Sequence, residues 1–426
     1  MNLRRIDQAL VLFLLLSPMT AKSQTGKTSE LPKPFATKSV RNYSHIIGWP
    51  VGKTPFAPKG FQVKAFADGL INPRNIYVAP SGDVFVAEAN TEMKGIKKLG
   101  AKLVGYAGSE RVEESANRIT LLRPGKTGGT MERTVFLSGL NRPFGMLIVN
   151  SFFYVANTDG VFRYPYREGQ IIMTEKSEKI LDLPAVGYNN HWTRNLILSP
   201  DKTKIYVTVG SGSNVGENGM QNEVRRASIL EIDLEGKNEK IFASGLRNPV
   251  GMAFEPIHQI LWTAVNERDE LGDELVPDYF THVEKGGFYG WPYSYLGKNL
   301  DPRVKEQKPK LVAQALTPDF PLGSHTATLG LAFNTTDVFP KKYKNGAFLG
   351  QHGSWNRSEL SGYKVIFVPF ADGKPSGPAE DFLTGFIAEE KKNDVYGRPA
   401  MVAFLKDGSL LVADDSGNTV WRVSAL

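Results

Sequence analysis

The sequence predicts an all-β protein, folded as a six-bladed β-propeller of four-stranded antiparallel blades. The 426 residues include 42 glycines and 26 prolines, which favours short strands joined by tight turns. Short apolar runs with period-two alternation recur from Phe61 to the C-terminus. A cassette of Gly-Leu, a Pro/Arg/Asn corner and an apolar run is present three times, beginning at Gly69, Gly139 and Gly245.

Six repeated units account for the predicted blades. Each contains an apolar run followed by a turn and a second apolar run, as in Asp83–Ala87 after the first run. The first runs are centred near Ile76, Met146, Leu196, Met252, Leu331 and Val402. Their separations of 50 to 79 residues exceed those of compact propeller repeats, so long loops are expected, chiefly between 265 and 325. A two-sheet sandwich is the alternative, but the chain is too long and too repetitive for it.

The N-terminus resembles a secretory signal. Arg4 and Arg5 precede an apolar run over 9–16, and a small-x-small site follows at 21–23. A membrane anchor is the alternative, but this run is much shorter than the roughly 20 residues that a spanning helix needs. We therefore predict a cleaved signal peptide over 1–23, an extended arm over 24–60 and a propeller domain over 61–426. The mature protein is expected to be periplasmic or secreted, with no membrane span.

Composition excludes several classes of function. The absence of cysteine excludes a Cys-x-x-Cys-His haem site and thiolate metal sites, so a redox enzyme would pass its electrons to a separate acceptor. The formal charge is +7, and removing residues 1–23 takes away three basic residues and one acidic residue, leaving +5. The positive charges are scattered, which argues against nucleic acid as a partner.

His191 lies in the loop before the run at Leu196. An imidazole at a loop-to-strand junction can serve as a general base near neutral pH. A surface or structural histidine is the alternative on spacing alone.

Arg247 and Asn248 form a polar pair in the third cassette. A guanidinium next to an amide can hold a carboxylate or a developing oxyanion through charge-assisted hydrogen bonds. Arg74 and Arg142 occupy related positions in the sister cassettes, so a corner-bracing role is the alternative. We expect the third copy alone to turn its pair towards the centre.

Further polar groups stand at the later blade entrances. The segment 266–274 is the densest carboxylate cluster and suits an oxygen-liganded cation such as Ca²⁺, although a solvated acidic loop fits equally well. Trp355, Arg357 and Arg398 add an aromatic side chain and two cations. Together they suit a flat, polyanionic ligand.

In this order, these segments resemble the PQQ-dependent soluble sugar dehydrogenases, the glucose/sorbosone dehydrogenase family, over roughly residues 60–425. The segments that carry the resemblance are Asn190-His191, 245–249, Asn266-Glu267 with 272–274, 289–292 and Arg398. The details of 266–269 and 352–356 look closer to the sorbosone-dehydrogenase-like branch.

The resemblance implies an enzyme with a six-bladed propeller, noncovalent PQQ and Ca²⁺, which oxidises an aldose, a sorbosone-like sugar or a related hydroxyl or aldehyde. His191 would take the proton from the sugar hydroxyl while hydride passes to the quinone. Arg247 would stabilise charge on the quinone oxygen, and Asn248 would hydrogen-bond the cofactor.

The resemblance also implies the remaining ligands. Arg398 would pair with a carboxylate of PQQ, with Trp355 and Arg357 around the cofactor. Backbone carbonyls near Asp269 and Glu270 would ligate Ca²⁺, which polarises the quinone.

Two departures from the family pattern concern the site. The acid that orients the catalytic histidine in the glucose enzyme is missing, because Gly210 is followed by Ser211. Either Glu217 replaces it or His191 is less firmly oriented. The family's cofactor-binding lysine near His352 is also missing, and Arg357 is a candidate for its charge.

Two other functions compete with the dehydrogenase. Sugar lactonases that depend on calcium also use six-bladed propellers, and they require carboxylates and asparagines around a central metal. A non-catalytic binding propeller would result if the missing acid and lysine had disabled the chemistry.

Overall fold

The computed structural model describes residues 31–92, 115–123, 125 and 131–426. The predicted signal peptide, 1–23, lies outside these residues, as does 24–30 of the predicted arm. The described chain is mostly β, and four-stranded antiparallel sheets are its main unit.

Six sheets of four or more strands are formed by the described residues, and we number them by the chain order of their central strands. Sheet 1 contains β3 (Pro73–Val78), β4 (Val84–Glu88), β5 (Arg118–Arg123) and β6 (Glu132–Leu137). Sheet 2 contains β7 (Met146–Val149), β8 (Phe152–Asn157), β9 (Gly160–Pro165) and β10 (Glu178–Asp182). Sheet 3 contains β11 (Leu196–Leu198), β12 (Lys204–Val209), β13 (Ser228–Asp233) and β14 (Lys240–Ser244).

The second half of the chain follows the same plan. Sheet 4 contains β15 (Pro249–Phe254), β16 (Leu261–Val265), β17 (Pro277–His282) and β20 (Phe320–Ser324). Sheet 5 contains β21 (Ala332–Phe333), β22 (Gly346–Gln351), β23 (Lys364–Ala371), β24 (Lys374–Pro375) and β25 (Glu380–Leu383). Sheet 6 contains β28 (Pro399–Phe404), β29 (Leu410–Asp414), β30 (Thr419–Ala425) and, from the other end of the chain, β2 (Phe61–Ala67).

Small elements complete the described structure. A three-stranded sheet joins β1 (His45–Ile46), β26 (Ile387–Glu389) and β27 (Asp394–Val395), and a two-stranded sheet joins β18 (Ser294–Tyr295) and β19 (Asn299–Leu300). One short α-helix spans Pro309–Val312, and 3₁₀ turns span Met220–Glu223, Lys341–Tyr343 and Glu390–Lys392. Of the helices in the described ranges, none has the length and apolar character needed to cross a membrane.

The first strands of the sheets pack side by side in chain order. Contacts join β7 to β11, β11 to β15, β15 to β21, β21 to β28, and β28 back to β3. Between β3 and β7, the amide of Ile148 donates to the Tyr77 hydroxyl at 3.0 Å. All six runs predicted from the sequence lie in or next to these first strands.

Glycines allow this close packing of backbones. A Cβ at Gly145 would lie 2.5 Å from the backbone nitrogen of Leu196, and one at Gly251 would lie 2.7 Å from the Leu329 carbonyl oxygen. Both glycines belong to the repeated cassettes, where they precede the apolar run. The repetition therefore reflects the approach of neighbouring sheets as well as turn formation.

Asparagines link the sheets at equivalent places. The Asn75 side-chain amide donates to the Phe144 carbonyl at 2.9 Å, and that of Asn195 donates to the Val250 carbonyl at 2.8 Å. Both residues are buried and stand at the start of a first strand. These bonds hold the loop before β7 and the start of β15 in place, and the residues just before β15, Arg247 and Asn248, line the cavity described below.

Candidate functional site

One cavity of about 460 Å³ opens where the loops before several first strands converge. Its walls combine cations, aromatic rings and one carboxylate. The lining residues are Arg41, Tyr43, Arg74, Thr91, Asn190, His191, Trp192, Thr193, Arg247, Asn248, Asn266, Asp269, His325, Ala327, Leu329, His352, Gly353, Trp355 and Arg398.

His191 is held by one side of its ring. Its Nδ1 lies 2.7 Å from the backbone oxygen of Ser211 and 3.0 Å from the Ser211 hydroxyl. Because a carbonyl can only accept, Nδ1 carries the proton and Nε2 keeps its lone pair. Nε2 has no hydrogen-bond partner among the described residues. The imidazole is therefore oriented as a base, with a backbone carbonyl in the orienting role.

The environment keeps His191 neutral. Burial and the positive charge of Arg247 lower the pKa of His191 to about 3, against a smaller opposing effect of the Ser211 carbonyl. Arg194, fully buried behind it, donates to the His191 carbonyl at 2.7 Å and adds to the same effect. A neutral imidazole with a free lone pair can accept a proton at any pH above the acid range.

Gly210 separates His191 from Asn248. A Cβ at Gly210 would lie 2.4 Å from Asn248 Oδ1 and 2.6 Å from His191 Cβ. The next residue, Ser211, donates its backbone N–H to the Arg247 carbonyl at 2.8 Å. The end of β12 thus ties the histidine and the Arg-Asn pair into one rigid group.

Arg247 is buried and fixed on two sides. One terminal nitrogen donates to the Glu267 carbonyl at 2.6 Å; the other donates to Asn214 Oδ1 at 2.9 Å and to Asp269 Oδ2 at 3.1 Å. Its neighbour Asn248 has a buried Oδ1 without a hydrogen-bond partner. The guanidinium is therefore preorganised, and the amide retains capacity to bind a ligand.

Asp269 joins Arg247 to a second cation. Its Oδ1 lies 3.3 Å from His325 Nδ1, and His325 Nε2 lies 2.9 Å from the Gly272 carbonyl. Both ring nitrogens of His325 therefore face acceptors, which favours the imidazolium. Burial lowers its pKa, but Asp269 outweighs this, and the net effect raises the pKa of His325.

Arg74 belongs to a buried triad at another part of the wall. Its guanidinium bonds the Asp415 carboxylate, which also lies 2.8 Å from His352 Nε2. Burial would raise the pKa of Asp415, but His352 and Arg74 hold it well below its usual range. Arg74 of the first cassette thus lines the cavity as Arg247 does, but its neighbour Asn75 does not, so the third cassette alone places an Arg-Asn pair in the cavity wall. Arg142 does not line the cavity, although it lies over the Trp192 ring, as Arg74 does.

Arg398 and the aromatic residues complete the wall. Arg398 is buried and donates to the carbonyls of His352 and Gly353 at 3.0 and 2.9 Å. Trp355 stacks on Tyr43 with ring centroids 5.8 Å apart and an interplanar angle of 9°. Cationic groups and flat apolar faces thus share one cavity.

A model of the TrAA12-like family matches residues 55–279 and 301–425. The chain belongs to the TrAA12-like family. The predicted resemblance to PQQ-dependent soluble sugar dehydrogenases is confirmed by its relatives.

Among those relatives, an uncharacterized protein of Borreliella burgdorferi is 29% identical over 377 residues, covering 86% of this chain and 89% of that protein. A pyrroloquinoline quinone-dependent pyranose dehydrogenase of Coprinopsis cinerea is 24% identical over 438 residues, 86% of this chain and 54% of the relative. The aldose sugar dehydrogenase YliI of Escherichia coli is 34% identical over 120 residues, 28% of this chain and 30% of that protein.

Solved structures agree on the fold. The holo PQQ domain of the Coprinopsis cinerea pyranose dehydrogenase superposes with a TM-score of 0.70 at 18% identity, over 90% of this chain and all of that domain. The iodide structure of the Trichoderma reesei AA12 enzyme gives 0.69 at 18% identity, over 92% of this chain and 100% of that chain.

The cavity of this TrAA12-like protein suits PQQ, a flat tricarboxylate. Arg74, Arg247 and Arg398 supply buried positive charge, and Trp192 and Trp355 supply flat faces. The buried Oδ1 of Asn248 lacks a donor. The donor set and the shape of the wall thus fit an aromatic polyanion.

The predicted calcium ligands do not fit. The Asp269 carbonyl accepts from Arg303 at 2.6 Å and from Asn214 Nδ2 at 3.1 Å, so a guanidinium occupies the place of a cation. Glu270 is exposed and does not line the cavity. No cluster of three or more His, Cys, Asp or Glu suited to a metal is found among the described residues.

Two other expectations need correction. Arg357 does not line the cavity; its guanidinium pairs with Glu274 at 2.5 Å, so it does not replace the missing lysine. Glu217 does not orient His191, because its carboxylate accepts from the backbone of Asn214 and Val215 at 3.1 and 2.8 Å.

Sequence reasoning missed several lining residues. Arg41 and Tyr43 lie in the arm, outside every repeat, and His325 lies in a loop without a motif. Arg74 was visible as a sister of Arg247, and its equivalence in the cassette was the signal that could have found it.

Proposed function

We propose that the protein is an exported, PQQ-dependent sugar dehydrogenase that oxidises an aldose, a sorbosone-like sugar or a related hydroxyl or aldehyde. The observation that carries the proposal is the orientation of His191, whose Nδ1–H is bound to the Ser211 carbonyl in a cavity walled by arginines. Six sheets with their first strands packed in sequence support a six-bladed propeller around that cavity.

His191, Arg247 and Asn248 have separate roles in the proposed reaction. PQQ, when bound, would supply an ortho-quinone that accepts a hydride, and with it two electrons, from the substrate. His191 Nε2 accepts the hydroxyl proton of the sugar, and the Ser211 carbonyl fixes the ring as it becomes charged. Arg247 presents a fixed positive charge, and Asn248 an amide, to the bound cofactor. No step is assigned to calcium.

Charge in the wall supports cofactor binding. Arg74 and Arg398 are both buried. The Asp415 carboxylate orients Arg74, and the His352 carbonyl orients Arg398. Charge-assisted hydrogen bonds from buried guanidiniums are strong, and a carboxylate ligand would meet them already placed. The electrons would then leave to a separate acceptor outside the chain.

Reconstitution tests the proposal. The purified mature protein is titrated with PQQ, with and without CaCl₂, and dye reduction is followed with aldoses, sorbosone and simple alcohols. We expect saturable PQQ binding and sugar-dependent dye reduction that requires PQQ. Absence of PQQ binding would overturn the proposal, and hydrolysis of sugar lactones without PQQ would favour the lactonase alternative. Binding without turnover on any substrate would indicate a binding propeller.

A further inference from the structure

The N-terminal arm runs along one side of the cavity and contributes two of its side chains. Arg41 and Tyr43 line the cavity, yet both precede residue 55, where the match to the TrAA12-like family begins. The arm is therefore a part of the site that lies outside the segment matched by the family model.

The arm is fixed to the loops of sheets 4 and 5. Phe35 donates its N–H to the Leu271 carbonyl at 2.8 Å, and the N–H of Asp273 donates to the Thr37 hydroxyl at 2.8 Å. Gly272 donates its N–H to the Ser39 hydroxyl at 3.0 Å. These bonds place the arm against the segment that begins with Asp269.

A second set of bonds fixes the arm beside Trp355. The Asn42 N–H donates to the Trp355 carbonyl at 2.8 Å, and Asn356 Nδ2 donates to the Val40 carbonyl at 2.8 Å. Beyond this point β1 pairs in parallel with β27. Backbone bonds on both sides of Tyr43 hold it in place, so the arm is a fixed wall.

The two arm side chains lie nearer the surface than the buried arginines of the cavity. We call the buried cationic part, with Arg247 and Arg398, the floor, and the part formed by the arm and Trp355 the rim. Arg41 is 65% exposed and its nearest carboxylate, Glu270, is 4.0 Å away, whereas Arg247 and Arg398 are buried at the starts of first strands. Tyr43 is half-buried and lies parallel to Trp355. The floor thus presents charge for a polyanion, and the rim presents an aromatic pair with one solvated guanidinium.

This combination is the chemistry that binds a sugar ring. The apolar faces of a pyranose pack on aromatic rings, and its hydroxyls accept hydrogen bonds from a guanidinium. We infer that Arg41 and Tyr43 of the arm, with Trp355, form the substrate subsite for an aldopyranose, separate from the cofactor floor. This inference rests on the proposed function for the identity of the floor ligand.

Two arm variants and two matched controls test it. Tyr43→Ala and Arg41→Ala remove the subsite groups; Phe35→Ala and Lys38→Ala remove an aromatic and a cationic side chain that are exposed on the same arm and do not line the cavity. Binding of glucose, galactose, xylose and maltose to the protein is measured by calorimetry, with and without added PQQ. PQQ affinity is measured separately by titration, and KM and kcat by dye reduction.

We expect Tyr43→Ala to weaken binding of the preferred sugar, and raise its KM, about tenfold or more. Arg41→Ala should weaken sugar binding and raise KM about threefold or more. PQQ affinity and kcat should stay within about twofold in both variants, and Tyr43→Phe should restore sugar binding. Unchanged sugar affinity in Tyr43→Ala, an equal loss in the controls, or no binding of any of the four sugars by the parent protein would overturn the subsite.

The outcomes also separate the two proposals. If arm variants weaken PQQ binding as strongly as sugar binding, the arm belongs to the cofactor site and the subsite is wrong, while the dehydrogenase proposal stands. If the parent protein binds sugars through Tyr43 but binds no PQQ, the dehydrogenase proposal fails and the sugar subsite stands.

Discussion

At the scale of single residues, the site depends on which atom of His191 is free. The Ser211 carbonyl accepts a hydrogen bond from Nδ1–H, which leaves Nε2 as the candidate base, without a carboxylate partner on the ring. A carbonyl does not stabilise an imidazolium as strongly as an acid does, so this arrangement favours orientation over basicity. The missing acid therefore changes how the histidine is held, and the proposed role as base rests on the free Nε2.

Replacing His191 by glutamine tests the base. His191→Gln keeps a side chain of similar size but cannot accept the proton, so kcat should fall by about 10²- to 10⁴-fold. Affinity for PQQ should change less than about threefold, because the cationic wall remains. Dye reduction and PQQ titration measure the two quantities. Retained turnover would show that another group takes the proton.

Among the three cavity histidines, the pKa values of His191 and His325 should be shifted in opposite directions. Burial and Arg247 lower the pKa of His191 to about 3, and Asp269 raises the pKa of His325 despite burial. In the PQQ-free protein, ¹⁵N NMR should find His191 as a neutral Nδ1–H tautomer from pH 8 to 5, with His325 still charged at pH 6.5. Titration of His191 near pH 6.5 would contradict the assigned environment.

The same shift links His191 to acid stability. An unfolded chain binds a proton on this histidine below about pH 6.5, whereas the folded chain does so only near pH 3. The unfolded state therefore binds more protons in this window, and stability falls as the pH decreases through it. His191→Gln should make the free energy of unfolding less dependent on pH between those values.

At the scale of elements, the end of β12 sets the distance between His191 and the Arg-Asn pair. Gly210 lies in that junction, and any side chain there would meet both Asn248 and His191. The end of β12 thus separates His191 from Asn248, and Gly210 leaves no side chain between them. Its position explains why the motif at 245–248 and the loop at 190–191 form one site although they are far apart in sequence.

Gly210→Ala should disturb this spacing. With Cβ 2.4 Å from Asn248 Oδ1, one of the two side chains must move, and displacements near 1 Å in a catalytic group can cost about 100-fold in rate. We expect kcat/KM to fall at least tenfold, measured by dye reduction, with an unchanged circular dichroism spectrum. Gly377→Ala, whose Cβ would meet only Pro369 at 3.1 Å, is the matched control. Full activity in Gly210→Ala would show that the junction is not rigid.

Much of this element structure could be predicted from the sequence. Strands such as β12 follow from period-two patterns and turn residues, because alternation and turn chemistry are local properties. His191, Arg247 and Asn248 could be found since they lie in repeats or in a recognisable motif. The acceptors of their hydrogen bonds could not, because the Ser211 and Glu267 carbonyls are backbone atoms that any residue would supply.

The predicted calcium ligands do not fit the structure, and the arm residues were missed. The reasons differ from those above. Acidic composition around Asp269 suggested a cation site, but a guanidinium from the distant loop residue Arg303 binds its carbonyl. Such a contact depends on the tertiary path of 286–316, which has no sequence code. Tyr43 was missed because nothing local shows where an extended arm will pass.

At the scale of the whole molecule, the first strand after the arm and the last strand of the chain meet in sheet 6. Strand β2 pairs antiparallel with β30, with Phe61 opposite Ala425 and Val63 opposite Val423. The first strand of this sheet, β28, in turn contacts β3 of sheet 1. The closure of sheet 6 itself therefore depends on a pairing between distant parts of the chain, and the arm that lines the cavity leads directly into β2.

Phe61→Ala should weaken that closure without altering the site. Phe61 is 8% exposed and packs edge-on against Phe339, Tyr343 and Phe382, so truncation should lower the free energy of unfolding by about 3 kcal/mol. Urea denaturation followed by fluorescence measures the loss. Val135→Ala, at a 43% exposed position of β6, should change it by less than about 0.5 kcal/mol. PQQ affinity at low temperature should match the parent, because no cavity residue contacts Phe61 in these aromatic pairs. A loss below about 1 kcal/mol would show that closure rests on the backbone ladder alone.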